Sequence, residues 1–347
     1  MIESISPIRP YPQSWLDRLT TWVDRLPGPY WAYYVGLWLG LFGILIGIKW
    51  NDGTLPVGTL DARYLVYTLW GVYMLGVTHY LDRFASFALG NFRPALGDGE
   101  VNFAALNYQL TNSPPAGTLW SGILFSVWTA IPVSLSPGYP QLLGIFTSPL
   151  ATAFELPLIL MYGFITGSAI YHVVHQLATI NRIYSVSTNI DPLAPQPLYS
   201  LSSLALRTAL ASALFQYLFI AVSPALLHSS TTLANLGIVG LISMAMVVWP
   251  LWGAHRLLLK EKIRLYTESQ QRMKQVLMEL HERIDSRAYD QVDSLNKTSS
   301  ALQAELTMLE RLPTWPWQPD TPRWLLTTIL LPLLVWLSQR ILSRLGL

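Results

Sequence analysis

The sequence predicts an all-α, polytopic membrane protein of about seven transmembrane helices, with a cytoplasmic helical hairpin between the sixth and the seventh. Three observations carry this prediction. Of 347 residues, 52% are hydrophobic and only 12% are charged, about half the charge of an ordinary soluble domain. Stretches near 31–50, 62–82, 117–135, 149–172, 204–226, 234–255 and 323–343 reach or approach the ~20 apolar residues that cross a bilayer, the third being the shortest. Between the last two, apolar residues recur every three or four positions among Glu and Arg, the mark of amphipathic helix.

The first 30 residues read as a cytoplasmic segment. Trp15, Leu19, Trp22 and Leu26 recur at i, i+4, i+7 and i+11, with Asp17, Arg18, Asp24 and Arg25 on the other faces. That pattern suits a helix lying in the headgroup region, and a helix packed on a soluble partner is the alternative. The short apolar core and small-residue cleavage site of a signal peptide are not seen. Residues 31–256 then hold the first six spans and their short loops. With the N-terminus inside, the outer segments keep Lys49, Arg63, Arg340 and Arg344, four of the 22 basic residues. The excess of positive charge inside predicts a cytoplasmic N-terminus and an external C-terminus.

Residues 257–312 form the expected hairpin. Its first arm carries Tyr266, Met273, Val276, Leu280 and Ile284, its second Leu295, Leu302, Leu306 and Leu309, and residues 285–290 form the tip. In the elbow, 313–322, Pro313, Pro316, Pro319 and Pro322 favour a stiff extended connector. Trp315, Trp317 and Trp324 suit headgroup depth. Thr321 and Pro322 are an N-cap and a first helical residue for the last span, within 323–347. Inside the membrane, Gly36, Gly40, Gly43 and Gly47 form one stripe, and Gly163 and Gly167 another. Small residues at this spacing let helices approach closely, and packing within one subunit is the expectation for both.

Chemistry is sparse. The chain has no cysteine, which removes disulfides, thiolate metal sites and thiol nucleophiles. A net charge of +2 is too small to point to nucleic acid. No His-Glu-x-x-His run or phosphate-binding loop occurs, and Ser121-Gly122 lacks the surroundings of a nucleophile elbow. No residue qualifies as catalytic, and an enzyme is not expected. His79, His172, His175 and His255 share a depth near the inner ends of spans two, four and six. Imidazoles on separate helices can ligate haem, and with Asp82 a divalent metal; interfacial packing without cofactor or metal is the expectation. Glu155 lies inside span four beside Pro157, where a carboxylate is costly. It requires a watery cavity or a partner such as Tyr64 or Tyr67, and cation binding, proton relay and structural pairing all remain open.

The last span has a stripe at Thr327, Leu331, Leu334 and Ser338. Polar ends around an apolar centre fit a pore lining closed by a hydrophobic constriction. The order of elements resembles that of insect odorant and gustatory receptors, a resemblance of topology and not of motif. It implies a tetrameric cation channel with the last helix at the pore. The leading expectation is therefore an oligomeric ion channel, a tetramer favoured, gated through the hairpin and the last helix. A sensor, scaffold or accessory subunit that binds a cytosolic protein through the hairpin is the alternative, and a transporter or haem-bearing redox protein the second.

Overall fold

A computed structural model describes residues 9–96, 102–135, 140, 143–186, 196–222, 230–287 and 292–316. The expected last span, with Thr327, Leu331, Leu334 and Ser338, lies outside the described residues, as do positions 317–322 of the elbow. The described chain is helical, without strands: α1 (Trp15–Asp24), α2 (Tyr30–Asn51), α3 (Ala62–Phe92), a 3-10 turn (Arg93–Leu96), α4 (Phe103–Thr111), α5 (Pro115–Leu135), α6 (Pro149–Val186), α7 (Gln196–Val222), α8 (Ser230–Asp285) and α9 (Val292–Arg311).

Polar side chains start several of these helices. Ser14 and Asp17 close a capping box on α1, and the Asp61 carboxylate accepts the Arg63 backbone N–H at 2.8 Å. Asn102 does the same for Ala105 at 3.0 Å, and Ser148 Oγ for Ala151 at 3.1 Å. Each satisfies an N–H group that the first helical turn leaves without a partner.

Among the described residues, three helices are long and apolar enough to cross a membrane: Tyr30–Asn51, Pro149–Tyr184 and Gln196–Phe219. Their neighbours behave accordingly. Leu37, Leu39 and Ile44 of α2, and Trp120, Leu124, Val127 and Trp128 of α5, remain exposed, with Leu124 at 73%. An apolar surface of this extent is not kept in water but suits contact with lipid.

Helices α3 and α6 run past the apolar stretches expected of them, to Phe92 and Val186, and α7 starts eight residues ahead of position 204, at Gln196. The overrun stays helical because one apolar face continues. Leu81, Ala85, Leu89 and Phe92 of α3 pack on Leu177, Ile180 and Tyr184 of α6, Leu201 of α7, and Leu251 and Leu258 of α8, all buried. A second core joins α1, α2, α3 and α6 through Leu16, Tyr34, Leu45, Tyr67, Leu158 and Tyr162.

Two glycine stripes have different roles. A Cβ at Gly163 or Gly167 would meet the backbone of Ser126 or of Ser121 on α5, so α5 and α6 approach at backbone contact. No described atom lies within 4 Å of a Cβ added at Gly36, Gly40, Gly43 or Gly47. Packing within the chain thus holds for the second stripe and not for the first, among the described residues. Gly167→Ala should therefore destabilise the protein by about 1–3 kcal/mol, an overpacking cost. Gly40→Ala should leave the melting temperature in detergent unchanged or higher. Equal melting temperatures for the two variants would contradict the close α5–α6 contact.

Beyond the bundle, α8 continues as one helix and α9 returns along it. Lys262 Nζ donates to the Glu310 carbonyl (2.7 Å), Tyr266 OH to the Glu310 carboxylate (3.0 Å) and Ser269 Oγ to Glu305 (2.6 Å). Positions rise on α8 as they fall on α9, so the pair is antiparallel. The inward positions 262, 266, 269, 273, 276, 280 and 283 alternate spacings of four and three, as do 295, 299, 302, 306 and 309. This is the repeat of a coiled coil. At the base, the Trp315 ring stacks on His255 with centroids 4.4 Å apart, and the Thr314 carbonyl lies 2.9 Å from His255 Nδ1. Trp315 is thus held against α8 and the core of Leu81, Leu177 and Leu258.

Candidate functional site

Two buried polar clusters lie at opposite ends of the apolar part of the bundle. Glu155 and His172 mark them on α6, and 17 residues at 1.5 Å each separate them by about 25 Å. That is close to the hydrocarbon thickness of a bilayer, about 30 Å. Buried polar groups at both ends, with apolar packing between, are what a membrane-spanning bundle requires.

The first cluster is an ion pair. Lys49 and Glu155 side chains are fully buried, with Nζ 2.9 Å from Oε1. Lys49 Nζ also donates to the Gly144 carbonyl (3.2 Å) and to Thr147 Oγ1 (2.8 Å). Glu155 Oε2 accepts the Phe146 N–H at 2.6 Å. Phe146 has a φ of +59°, a left-handed conformation costly for a bulky residue, held because its N–H has this carboxylate. Tyr64 OH donates to the Gly144 carbonyl (2.8 Å) and Tyr67 OH to the Glu155 carbonyl (3.2 Å). Neither tyrosine named from the sequence is therefore seen to bond the Glu155 carboxylate, whose partners are Lys49 and the Phe146 N–H. Residues 143–148, α2, α3 and α6 are clamped together here.

The second cluster joins α1, α3, α6 and the turn before α5. His172 Nε2 lies 2.7 Å from Asp82 Oδ1, and Nδ1 lies 3.2 Å from both Ser113 Oγ and Asp17 Oδ1. Gln176 Nε2 donates to Asp82 Oδ1 (3.2 Å) and to the Leu110 carbonyl (3.0 Å). Asp17 Oδ2 accepts the backbone N–H groups of Ser14 (3.1 Å) and Ser113 (3.0 Å). Burial works to raise the Asp17 carboxyl, but His172 and these hydrogen bonds outweigh it and hold it below the usual carboxylate range. The cluster contains the ligand types of a metal centre in Asp17, Asp82 and His172.

The four histidines expected at one depth thus have separate settings. His172 meets Asp82, as the sequence allowed. His175 Nε2 lies 2.8 Å from Tyr11 OH. His79 lies between Tyr34 OH (3.0 Å) and Asp24 (3.1 Å). His255 is covered by Trp315. The i, i+3 pair His172 and His175 does not converge on one point.

Asp17 departs most from its sequence reading. Periodicity sets it off the apolar stripe of α1, yet it is 2% exposed, beside buried Leu16, Thr20 and Val23, while Trp22 of the stripe is 56% exposed. The helix docks by the face carrying Asp17, because the partners waiting there are His172 and the Ser113 N–H. The readable signal was Ser14-x-x-Asp17, a capping-box spacing that marks Asp17 as bonded to backbone. Lys49 also went unread as a functional neighbour, since no local spacing ties it to Glu155.

Comparison with known proteins finds no matching family model, no matching curated protein and no matching solved structure.

Proposed function

We propose that this is a multi-pass membrane protein that associates through its α8–α9 pair and transmits that association to the membrane bundle, as a sensor, scaffold or accessory subunit does. The observation that carries the reading is α8, 56 residues without a break. Its first part packs in the bundle and its last part in the antiparallel pair, so a displacement of the pair moves the bundle. The pair also remains incomplete by itself. Met273, Val276, Leu280, Leu302 and Leu306 on the inward positions are only partly buried, and Ile263, Leu277, Met278 and Met308 are exposed. Two helices cannot cover such a seam, whereas three or four can. A second copy of the chain is the occupant favoured here, and a cytosolic helical protein the alternative. The distribution of basic residues supports a cytoplasmic location for the pair. Replacing residues 265–307 by a short Gly-Ser link should leave the bundle folded and reduce the detergent particle to a single copy of the shortened chain. An oligomer that survives this deletion would remove the pair from assembly.

The channel reading stands second, favoured by the tether of residues 314–315 to α8, which would couple the pair to a pore-lining last helix through the elbow. Leu331→Ser and Leu334→Ser should then raise basal ion leak in liposomes by wetting the constriction. Negligible flux in both folded variants would exclude that helix as the pore.

A further inference from the structure

The cluster that fastens α1 to the bundle has more buried negative charge than its partners can match. Asp17 is 2% exposed, Asp82 9% and His172 1%. Among the described residues, His172 alone forms an ion pair with either carboxylate. One imidazolium against two carboxylates still leaves a net negative charge out of water, and buried charge is unfavourable unless it is paired.

A second observation is independent of that count. Asp17 Oδ1 and Gln176 Oε1 are buried acceptors with no hydrogen-bond donor among the described residues. Asp17 Oδ1 lies 3.2 Å from His172 Nδ1 but is not aligned with a donor, while Ser113 Oγ, also at 3.2 Å, is. The Gln176 amide nitrogen is spent on Asp82 and the Leu110 carbonyl, which leaves its oxygen as an acceptor on a group in contact with the Asp82 carboxylate. Acceptors in excess of donors, in a buried site with surplus negative charge, are what a cation satisfies.

We propose that Asp17, Asp82 and His172 bind one first-row divalent transition-metal ion, with the Gln176 carbonyl as a fourth ligand. One ligand atom from each of the three lies within 4.8 Å of the others. Metal bonds of about 2.0–2.2 Å require ligand separations of roughly 3 Å, so the side chains draw together on binding. The charges then cancel: a doubly positive ion, two carboxylates and a neutral imidazole sum to zero, the ring giving up any second proton to solvent. His172 Nε2 lies 2.7 Å from Asp82 Oδ1, while Nδ1 lies 3.2 Å from both Asp17 Oδ1 and Ser113 Oγ. The two carboxylates thus meet opposite ring nitrogens, and Asp17 Oδ1 must turn toward Nε2 to share one ion with Asp82. Asp17 Oδ2 is fixed by two backbone N–H groups, which leaves Oδ1 to coordinate. Outer partners of this kind orient ligands and set affinity. The imidazole favours zinc, manganese or iron(II) over magnesium and calcium. An ion here would staple α1 to α3 and α6, and this inference does not depend on the assembly reading.

The test uses the full-length protein in detergent, stripped with EDTA, reloaded with Zn²⁺ or Mn²⁺, desalted, and assayed by mass spectrometry for bound metal. We expect one ion per chain, a higher melting temperature on loading, and reversal by EDTA. Asp17→Asn and Asp82→Asn should each lower affinity by at least about tenfold, while His281→Ala, exposed on α8, should bind as the parent does. Co²⁺ titration of the unmodified protein decides the question even where a variant fails to fold. A visible band saturating at one equivalent supports the site, and a response that does not saturate overturns it. No retained metal in the parent, or equal retention in both aspartate variants, would overturn it as well.

Discussion

Glu155→Gln should destabilise the protein by about 3–5 kcal/mol, the usual consequence of leaving one member of a buried ion pair without its partner. Lys49 is fully buried, so its ammonium must then lose its proton or draw water into the bundle. Glutamine can still accept the Phe146 N–H, which isolates the loss of charge from the loss of the loop contact. Adding Lys49→Met should recover most of the stability, because neither charge then remains out of water. The four proteins form a double-mutant cycle read by melting temperature in detergent. Additive losses would show that Lys49 and Glu155 act separately. If Glu155→Gln instead alters ion flux in liposomes while stability is kept, the carboxylate serves a cavity and not a clamp.

His172→Ala should have an effect of similar size, again about 3–5 kcal/mol, for the same reason. Asp17 and Asp82 would face each other without the ring between them. The local consequence is more diagnostic than the melting temperature. Helix α1 is held by Asp17, by Leu16 and Val23 in the second core, and by the bonds from Ser14 and Ser113. Without His172 it should detach, and amide exchange across Trp15–Asp24 should rise far more than exchange in α9. Unchanged protection of α1 would show that apolar contacts alone dock it.

Local patterns made some of this architecture readable, and long-range pairing kept the rest hidden. The apolar runs located α2 and α6 because lipid imposes a length on uninterrupted hydrophobic sequence. They missed where α3 and α6 end, since Leu89, Phe92, Ile180 and Tyr184 are spaced as one face of a helix and no longer as a continuous run. The three-to-four-residue apolar period from Tyr266 to Ile284 and from Leu295 to Leu309 was legible as helix, and α8 and α9 cover those positions. Asp82 was named beside the histidines, but which histidine it meets depends on how α3 and α6 cross. Asp17 lies off the Trp15-Leu19-Trp22-Leu26 stripe, so periodicity sets it on another face, while its partners come from α6 and the turn at Ser113. Lys49 and Glu155 lie on different helices, and only the folded loop at 143–148 brings them together.

The measurement that bears most directly on association through the α8–α9 pair is cysteine cross-linking in native membranes, which is clean because the chain has no cysteine of its own. Leu277→Cys, on the exposed flank of the seam, should give a covalent dimer of the chain under mild oxidation. Glu282→Cys, on the opposite side of α8, should remain a single 39.0 kDa band. Single bands for both variants, together with a monomeric mass in mild detergent at every concentration, would contradict the account.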